Sequence, residues 1–505
     1  MGLACAKEQI LSDHIKIRDL SIRTPQGELL LESADMDFRP GEITLLLGPS
    51  ASGKSSLALA LCGLLNPNQW NITGKVECAE GIIDLQTENE GVGTLVFQTG
   101  SLLDTLSASE NISLAQTYSR RQVDLPRTAF DLVASISPDV MPEAASGGMR
   151  QRVAILRALV NGRDLIVLDE PNAGLDPINA HLFCKTLQET CRATGRSALI
   201  VAHHTDGLLE LADHVLVLNP GTKRLTSVPV TQDAIHAALQ SHEASATTDH
   251  RQEWTSRLGK NWKLRWVVKA ASENLGNLVF SPLLLCFVAI GAAITGIVGT
   301  FFSFNYQSLA RFLIPLLHDE ALAGLGLIQL SVVTPLITSL LVVSRNNALI
   351  SADIAWRVRS AQILAMRNLG APLHLLVTAP MILCSMISFL VAGALATAIT
   401  SYASIQTWGL MFSDQPLDLW RQSFFVTTGS ATHFPIVVGF AILKFLLCGM
   451  VSSAIATGIS LKSQSLRLRM TETITFSVVL GAIMVLMIHG VLSIVADSMY
   501  TAATR

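Results

Sequence analysis

Eight residues, Gly48-Pro49-Ser50-Ala51-Ser52-Gly53-Lys54-Ser55, constrain this chain more than any others. They follow the apolar run Ile43-Thr44-Leu45-Leu46-Leu47 and open the helix-prone stretch Leu57-Ala58-Leu59-Ala60-Leu61. A strand, a glycine-bearing loop and a helix, in that order, form a phosphate cradle. The loop N–H groups and the helix dipole face the anion, Lys54 reaches the outer phosphates, and the Ser55 hydroxyl can coordinate Mg²⁺. Ser56 belongs to the same first helical turn. An antiparallel lead-in is expected over residues 14–38, where apolar and polar residues alternate around the turn Pro25-Gln26-Gly27.

Three further stretches extend the site. Thr94-Leu95-Val96-Phe97-Gln98 is a strand ending in a polar residue, the place where an α/β sheet presents groups to its ligand. Leu165-Ile166-Val167-Leu168-Asp169-Glu170-Pro171 is a buried strand ending in adjacent acids. Asp169 can hold Mg²⁺ through water, and Glu170 can deprotonate the water that attacks a γ-phosphate. Ala198-Leu199-Ile200-Val201-Ala202-His203 ends in a histidine that would contact the γ-phosphate. Between them, Ser146-Gly147-Gly148-Met149-Arg150-Gln151-Arg152 begins a helix, and Asn172-Ala173-Gly174-Leu175-Asp176 follows the acids.

The first 220 or so residues resemble the nucleotide-binding domain of ATP-binding-cassette (ABC) transporters, with these motifs in the family's order. The resemblance implies a P-loop NTPase that hydrolyses ATP to ADP and phosphate with Mg²⁺. Gly48 through Ser56, Gln98, Ser146, Gly147, Gly148 and Asp176 would bind ATP; Ser55, Gln98 and Asp169 would hold the metal; and Glu170 and His203 would be catalytic. It also implies that two such domains close head to tail around two ATP molecules, so that one copy per chain requires a homodimer. Three positions depart from the pattern: Thr24 stands where the family has an adenine-stacking aromatic, Ala145 where it has leucine, and His204 where an acid is common.

Composition divides the chain. Of 505 residues, half are apolar and 15% charged, and the mean hydropathy is +0.44. Up to about Asp249 charges and apolar residues are mixed, whereas from Leu275 onward long runs carry almost none. The net charge of −3 gives no reason to expect a nucleic-acid partner. The eight cysteines lack metal spacing and read as buried thiols of a reduced compartment. Residues 1–8 carry no apolar secretion segment, so the N-terminus is expected to stay cytosolic.

These shifts predict a nucleotide-binding domain over 1–222, a linker over 223–250, an amphipathic helix over 251–272 and a transmembrane domain over 273–505. The 251–272 segment interleaves Lys and Arg with Trp254, Trp262 and Trp266, which fits a helix on the cytosolic membrane surface or one docked on protein. Five stretches are long enough to span: 275–302, 324–343, 373–400, 435–461 and 474–496. The connections 344–372 and 462–472 are rich in Arg and Lys, which places them in the cytosol and the C-terminus outside. The predicted fold is therefore an α/β P-loop domain followed by an all-α transmembrane domain of about five spans. The loop 344–372, with Arg345, Asp353 and Arg357, is the candidate element coupling one to the other.

The membrane half resembles the permease of the Mla-type lipid transporters that work with MCE (mammalian-cell-entry) proteins. The likeness rests on Thr334-Pro335-Leu336-Ile337-Thr338, on Ser344-Arg345-Asn346-Asn347 through Asp353, on Arg367-Asn368-Leu369-Gly370-Ala371-Pro372 and on Ile442-Leu443-Lys444-Phe445. It departs at Ser331-Val332 and Thr334, where the family has a charged pair and a glycine, and at Ser360-Ala361-Gln362, where a glutamate is common. The resemblance implies an ATP-driven lipid transporter of the bacterial inner membrane, with a periplasmic MCE partner, accessory subunits and phospholipid cargo. Few ionisable groups lie in the spans, which suits an amphipath better than a polar solute. Lys444 lines the cargo pathway, snorkels to the outer interface or pairs within the fold, and His489 reads as a helix-packing contact. Two other readings stand beside the first: export of another hydrophobic compound, and a membrane-anchored regulatory ATPase.

Overall fold

The computed structural model describes residues 14–49, 52–78, 81–87, 91–98, 100–119, 121, 123–171, 177–203, 208–240, 264–305, 310–426, 428–429, 433–463 and 468–503, with backbone alone for 177–184, 240, 310–318 and 501–503. The chain forms two compact units. Unit 1 takes residues 1–262 and 357–373, and unit 2 takes 263–356 and 374–505.

Unit 1 contains two sheets. Strands β1 (Ile15–Arg23), β2 (Leu29–Phe38), β4 (Asn71–Cys78) and β5 (Gly81–Asp84) form an antiparallel sheet in the order β2-β1-β4-β5. This is the expected lead-in, and alternation along β1 and β2 sends Ile15, Ile17, Met36 and Phe38 inward. The second sheet has the order β10-β9-β3-β8-β7-β6. It comprises β3 (Ile43–Leu47), β6 (Gly93–Val96), β7 (Leu165–Asp169), β8 (Ser197–Ala202), β9 (His214–Asn219) and β10 (Arg224–Val228). All neighbours are parallel except β9 and β10. β3, β7 and β8 read as continuous apolar runs because strands covered on both faces have no polar side.

Helices α1 (Lys54–Leu61), α2 (Ala108–Thr117), α3 (Arg127–Asp131), α4 (Gly147–Val160), α5 (Pro177–Thr194) and α6 (Gln232–Gln240) accompany these sheets in unit 1. The last strand and α6 lie inside the expected linker. β10 pairs with β9 over five residue pairs, from Arg224↔Asn219 to Val228↔Val215. An edge strand with a solvated face carries the polar residues Arg224, Thr226 and Ser227, which is why it reads as linker. Residues 241–250 of that segment lie outside the described residues.

Unit 2 is helical: α7 (Leu264–Leu278), α8 (Pro282–Asn305), α9 (Ala310–Ile328), a π-helical turn (Gln329–Val333) and the larger part of α10 (Thr334–Arg359) come first. After α11 (Gln362–Asn368), which belongs to unit 1, a second π-turn (His374–Thr378), α12 (Ala379–Met411), α13 (Leu417–Phe424), α14 (Phe434–Leu461) and α15 (Met470–Ala503) follow. Among the described residues, five helical stretches are long and apolar enough to cross a membrane: Pro282–Asn305, Asp319–Arg359, His374–Met411, Phe434–Leu461 and Met470–Tyr500. They overlap the five expected stretches with shifted ends; residues 275–281 of the first lie in the end of α7 and the break before α8.

Two boundaries differ from expectation. Residues 344–359 are the continuation of α10 and not a loop. Asn346, Asn347, Ile350, Ser351 and Ile354 are buried along one side of it, while Arg345, Asp353 and Arg357 are half-buried, so polarity marks where the apolar segment ends and not where the helix does. Of the predicted amphipathic segment, 251–263 lies outside the described residues and the remainder begins α7. There Trp266 is buried within unit 2, while Leu264 and Val268 stay exposed. One face of α7 thus docks on protein, and Ser388 Oγ donates to its Leu278 carbonyl at 2.7 Å. Cys286 on α8 is exposed, in contrast to the buried thiols expected.

Candidate functional site

The site gathers at the C-terminal ends of β3, β6, β7 and β8, the edge where parallel sheets bind ligands. Gly53 caps α1 with φ +107, a conformation residues with a Cβ rarely adopt, so the turn into the helix needs glycine. Lys54 is buried at the first helical position, its Nζ donating to the Gly48 and Pro49 carbonyls at 2.8 Å each. Burial pushes its ammonium down to about 8, and the nearby carboxylates of Asp169 and Glu170 act against that fall. Ser50 and Ala51 lie outside the described residues; Ser52 is buried behind the loop, Ser55 is exposed and Ser56 half-buried.

At the end of β7 the two acids part in environment. Burial and the neighbouring Glu170 raise the Asp169 carboxyl above its usual range, opposed by a hydrogen bond from Ser55 and by Lys54. Glu170 takes φ +49, an uncommon left-handed conformation for a side-chain-bearing residue, and its N–H donates to the Val201 carbonyl at 2.9 Å. That turn aims its carboxylate across the strand ends. Gln98 Nε2 donates to Glu170 Oε2 at 2.7 Å, and His203 Nε2 lies 2.7 Å from Glu170 Oε1. His203 Nδ1 is in turn 3.4 Å from Lys54 Nζ. Phosphate-loop lysine, carboxylate, glutamine and histidine therefore form one connected cluster, assembled from four separate stretches of sequence.

Ser55, Asp169 and Gln98 present hydroxyl, carboxylate and carboxamide oxygens, the donor set a hard divalent cation prefers. The crowding that raises the Asp169 carboxyl is of the kind a cation relieves, so these residues fit a magnesium ion. Ser146, expected on ATP, caps α4 by accepting from Met149 N–H at 3.3 Å; it and Gly147 are exposed and Gly148 half-buried. Asp176 lies outside the described residues, as does His204.

Sequence reasoning missed the support behind Gln98. Arg157, buried on α4, donates to the carbonyls of Gly100 and Ser101 at 3.0 Å each. Burial lowers its guanidinium to about 10. Asn111 is fully buried: its Oδ1 accepts from Leu103 N–H at 2.9 Å and its Nδ2 donates to Leu106 O at 2.8 Å. A basic residue within the apolar stretch Val153–Val160 was the available signal, because such a group is buried only when its donors are used.

In unit 2, Lys444 is 2% exposed, and its Nζ donates to the Ser331 carbonyl and to Ser493 Oγ at 2.9 Å each. Ser331 lies in the first π-turn, a geometry that loosens the regular helical ladder and leaves carbonyls for other donors. Pairing within the fold, one of the alternatives weighed for this lysine, is what its hydrogen bonds describe. His489 Nε2 meets Ser339 Oγ at 3.0 Å, the helix-packing contact expected. Arg345 donates to Asn346 Oδ1 at 2.9 Å.

Residues 31–173 match the ABC transporter family and residues 278–495 match the family described as Permease MlaE. The lipoprotein-releasing system ATP-binding protein LolD 1 of Rhodospirillum rubrum is 38% identical over 202 residues, covering 38% of this chain and 88% of that protein. LolD 2 of Caulobacter vibrioides is 35% identical, over 41% of this chain and 93% of its own length. The macrolide export ATP-binding/permease protein MacB of Rhodopseudomonas palustris is 30% identical over 55% of this chain and 45% of its own. A solved nucleotide-free ATP-binding cassette from an ABC transporter is 24% identical, covering 45% of this chain and 95% of its own, with a TM-score of 0.37. One polypeptide here carries both an ATP-hydrolysing cassette and an MlaE permease domain, and the chain belongs to the ABC transporter family of membrane transporters.

Proposed function

We propose that this chain forms a homodimer in the bacterial inner membrane and uses ATP bound with Mg²⁺ to move a lipid, with glycerophospholipid the leading cargo. The observation that carries the lipid reading is the interior of unit 2. Among its described residues, Lys444 is the one buried Lys, Arg, Asp or Glu, while serine, threonine and apolar side chains make up nearly all the rest. A wholly polar solute would find little there to replace its hydration, whereas acyl chains need none. Lys444 uses two of its three donors on neutral oxygens and is 2% exposed, so its ammonium would meet an anionic head group only when the helices around it part.

On the ATP side, Lys54 and the loop N–H groups hold the outer phosphates, and Ser55, Gln98 and Asp169 hold the metal. A cation held there would neutralise charge that develops on the phosphoryl oxygens. Glu170 takes a proton from the attacking water as the new oxygen–phosphorus bond forms; the bond to the bridging oxygen breaks, and ADP and phosphate leave. His203 and Gln98 orient the carboxylate for that step. The exposed start of α4, with Ser146, Gly147 and Gly148, lies on the ATP held by the partner protomer, and Asp176 contributes beside it. The segment holding Arg345, Asp353 and Arg357 transmits closure of the cassettes. An MCE-type periplasmic protein and accessory subunits would receive or deliver the lipid.

The test is purification of the full chain in mild detergent with mass spectrometry of co-purified lipid, followed by ATPase assays in vesicles of phosphatidylethanolamine and phosphatidylglycerol. Bound phospholipid and lipid-stimulated hydrolysis are expected. Active protein that carries no lipid and responds to none would remove the lipid reading, and stimulation by a macrolide-like or other hydrophobic compound would replace it.

A further inference from the structure

The outer edge of the parallel sheet is closed by an amide from a part of the chain far removed in sequence. β6 is the last strand of its sheet, with β7 on one side, so the groups on its other side are those a further strand would take. Asn368, at the end of α11 within unit 1 and 2% exposed, takes them instead. Its Oδ1 accepts from Leu95 N–H at 2.8 Å, and its Nδ2 donates at 3.3 Å to the Gly93 carbonyl, which also accepts from Arg163 Nη1 at 3.0 Å, so the Leu95 contact is the one Asn368 makes alone. A carboxamide offers one acceptor and two donors on a planar head, which matches the donor and acceptor of alternate residues on a strand edge. Aspartate supplies acceptors alone, and serine is too short to reach both.

The same helix holds the far side of the loop. Gln362, at the start of α11, donates through Nε2 to Asp104 Oδ2, and Leu364 packs against the core that contains Leu95. Leu95 and Asp104 flank Gln98, whose Nε2 reaches Glu170. The stretch from Gly93 to Asp104 is therefore contacted on either side of Gln98 by residues that lie, along the chain, between membrane spans.

We propose that Asn368 is a positioning residue for ATP hydrolysis: by pairing with Gly93 and Leu95 it fixes the strand that carries Gln98 to Glu170, so the 357–373 segment acts on the catalytic carboxylate through two hydrogen bonds. This rests on the proposed part of Gln98 in the ATP site. The bland alternative is a clamp that adds stability and leaves catalysis alone.

The experiment uses the full chain in phosphatidylethanolamine and phosphatidylglycerol nanodiscs and compares Asn368→Asp, Asn368→Ser, Asn368→Gln, Gln98→Ala and the Gln98→Ala/Asn368→Asp double variant. Aspartate and serine lose the pairing in different ways, so one that folds suffices; rates are taken per folded molecule, with thermal unfolding measured beside them. Either variant is expected to lower kcat about tenfold with KM for ATP within about twofold, a misplaced group and not lost binding. Asn368→Gln should recover part of the rate, and Asn368→Asp should cost almost nothing further once Gln98 is alanine. A lowered unfolding temperature with wild-type kcat overturns the proposal, as does an equal loss in the wild-type and Gln98→Ala backgrounds. Wild-type hydrolysis by Gln98→Ala overturns it differently, by removing the reading of Gln98 on which it stands.

Discussion

His203 Nε2 and Glu170 Oε1 are 2.7 Å apart, and Gln98 Nε2 occupies the other carboxylate oxygen, so the Glu170 carboxylate is held at both oxygens. A glutamine at position 170 keeps the shape and one acceptor but cannot take the proton of the attacking water. Glu170→Gln is expected to lower phosphate release by about 10²–10⁴-fold while ATP binding persists. Single-turnover phosphate release and retained nucleotide after gel filtration check it. Turnover at the wild-type rate would remove Glu170 as the base.

Thr24 does not offer its side chain to a nucleotide. It is 2% exposed, its Oγ1 accepts from Glu28 N–H at 3.1 Å, and the Gly27 N–H bonds back to its carbonyl at 2.9 Å. The turn leads into Leu30, which lies against Gly53 at the phosphate loop. The nearby sheet's own aromatic Phe38 and the preceding Trp70 are 1% and 3% exposed, buried in the core and not presented to a base. Base recognition without a stacking face is expected to be permissive, with kcat/KM for GTP within about tenfold of that for ATP. Thr24→Tyr should lower KM for ATP by about two- to tenfold, the effect of one aromatic contact. An unchanged KM in that variant would place the base elsewhere.

The cluster proposed to hold ATP was legible because its residue types stand at strand ends. Lys54, Gln98, Asp169, Glu170 and His203 each follow an apolar run, and the sheet order brings those run ends together. Asn368 was not legible. Its part depends on β6 being an edge strand and on α11 folding back within unit 1, neither of which leaves a local pattern. The end of α10 was misread for a related reason: Arg345, Asp353 and Arg357 look like a solvated loop when hydropathy is read alone, yet helical periodicity runs through them. β10 was lost to the linker because a short edge strand with three polar side chains matches no strand template.

Lys444 sets a mutation whose stability and transport effects should separate. Its ammonium is held by neutral oxygens, with the desolvation of the charge set against those hydrogen bonds. Lys444→Met fills a similar volume, removes the cost of burying charge and leaves the Ser331 carbonyl with one partner fewer. The two changes oppose, so unfolding free energy should move by about 1 kcal/mol or less. Lipid-stimulated ATPase activity in phosphatidylglycerol vesicles should nevertheless fall towards the basal rate. Full stimulation in this variant would make the lysine a packing residue and nothing more.

Two glycines on α9 give a steric test of unit 2. A Cβ on Gly326 would stand 2.0 Å from the Phe424 carbonyl oxygen, whereas one on Gly324 meets nothing within 4 Å. Phe424 belongs to a cluster with Leu322, Leu325, Trp408 and Trp420, where the Trp420 and Phe424 rings stack with centroids 4.2 Å apart. Gly326→Ala must push α13 off α9 and loosen that cluster, a cost of about 1–3 kcal/mol. Gly324→Ala on the same helix meets no obstacle and should gain about 0.5–1 kcal/mol from helix propensity alone. Thermal unfolding of the detergent-solubilised chain should therefore shift in opposite directions for substitutions two residues apart. Equal shifts would mean that α9 and α13 do not meet at Gly326, and the cluster around Trp420 would then need another arrangement.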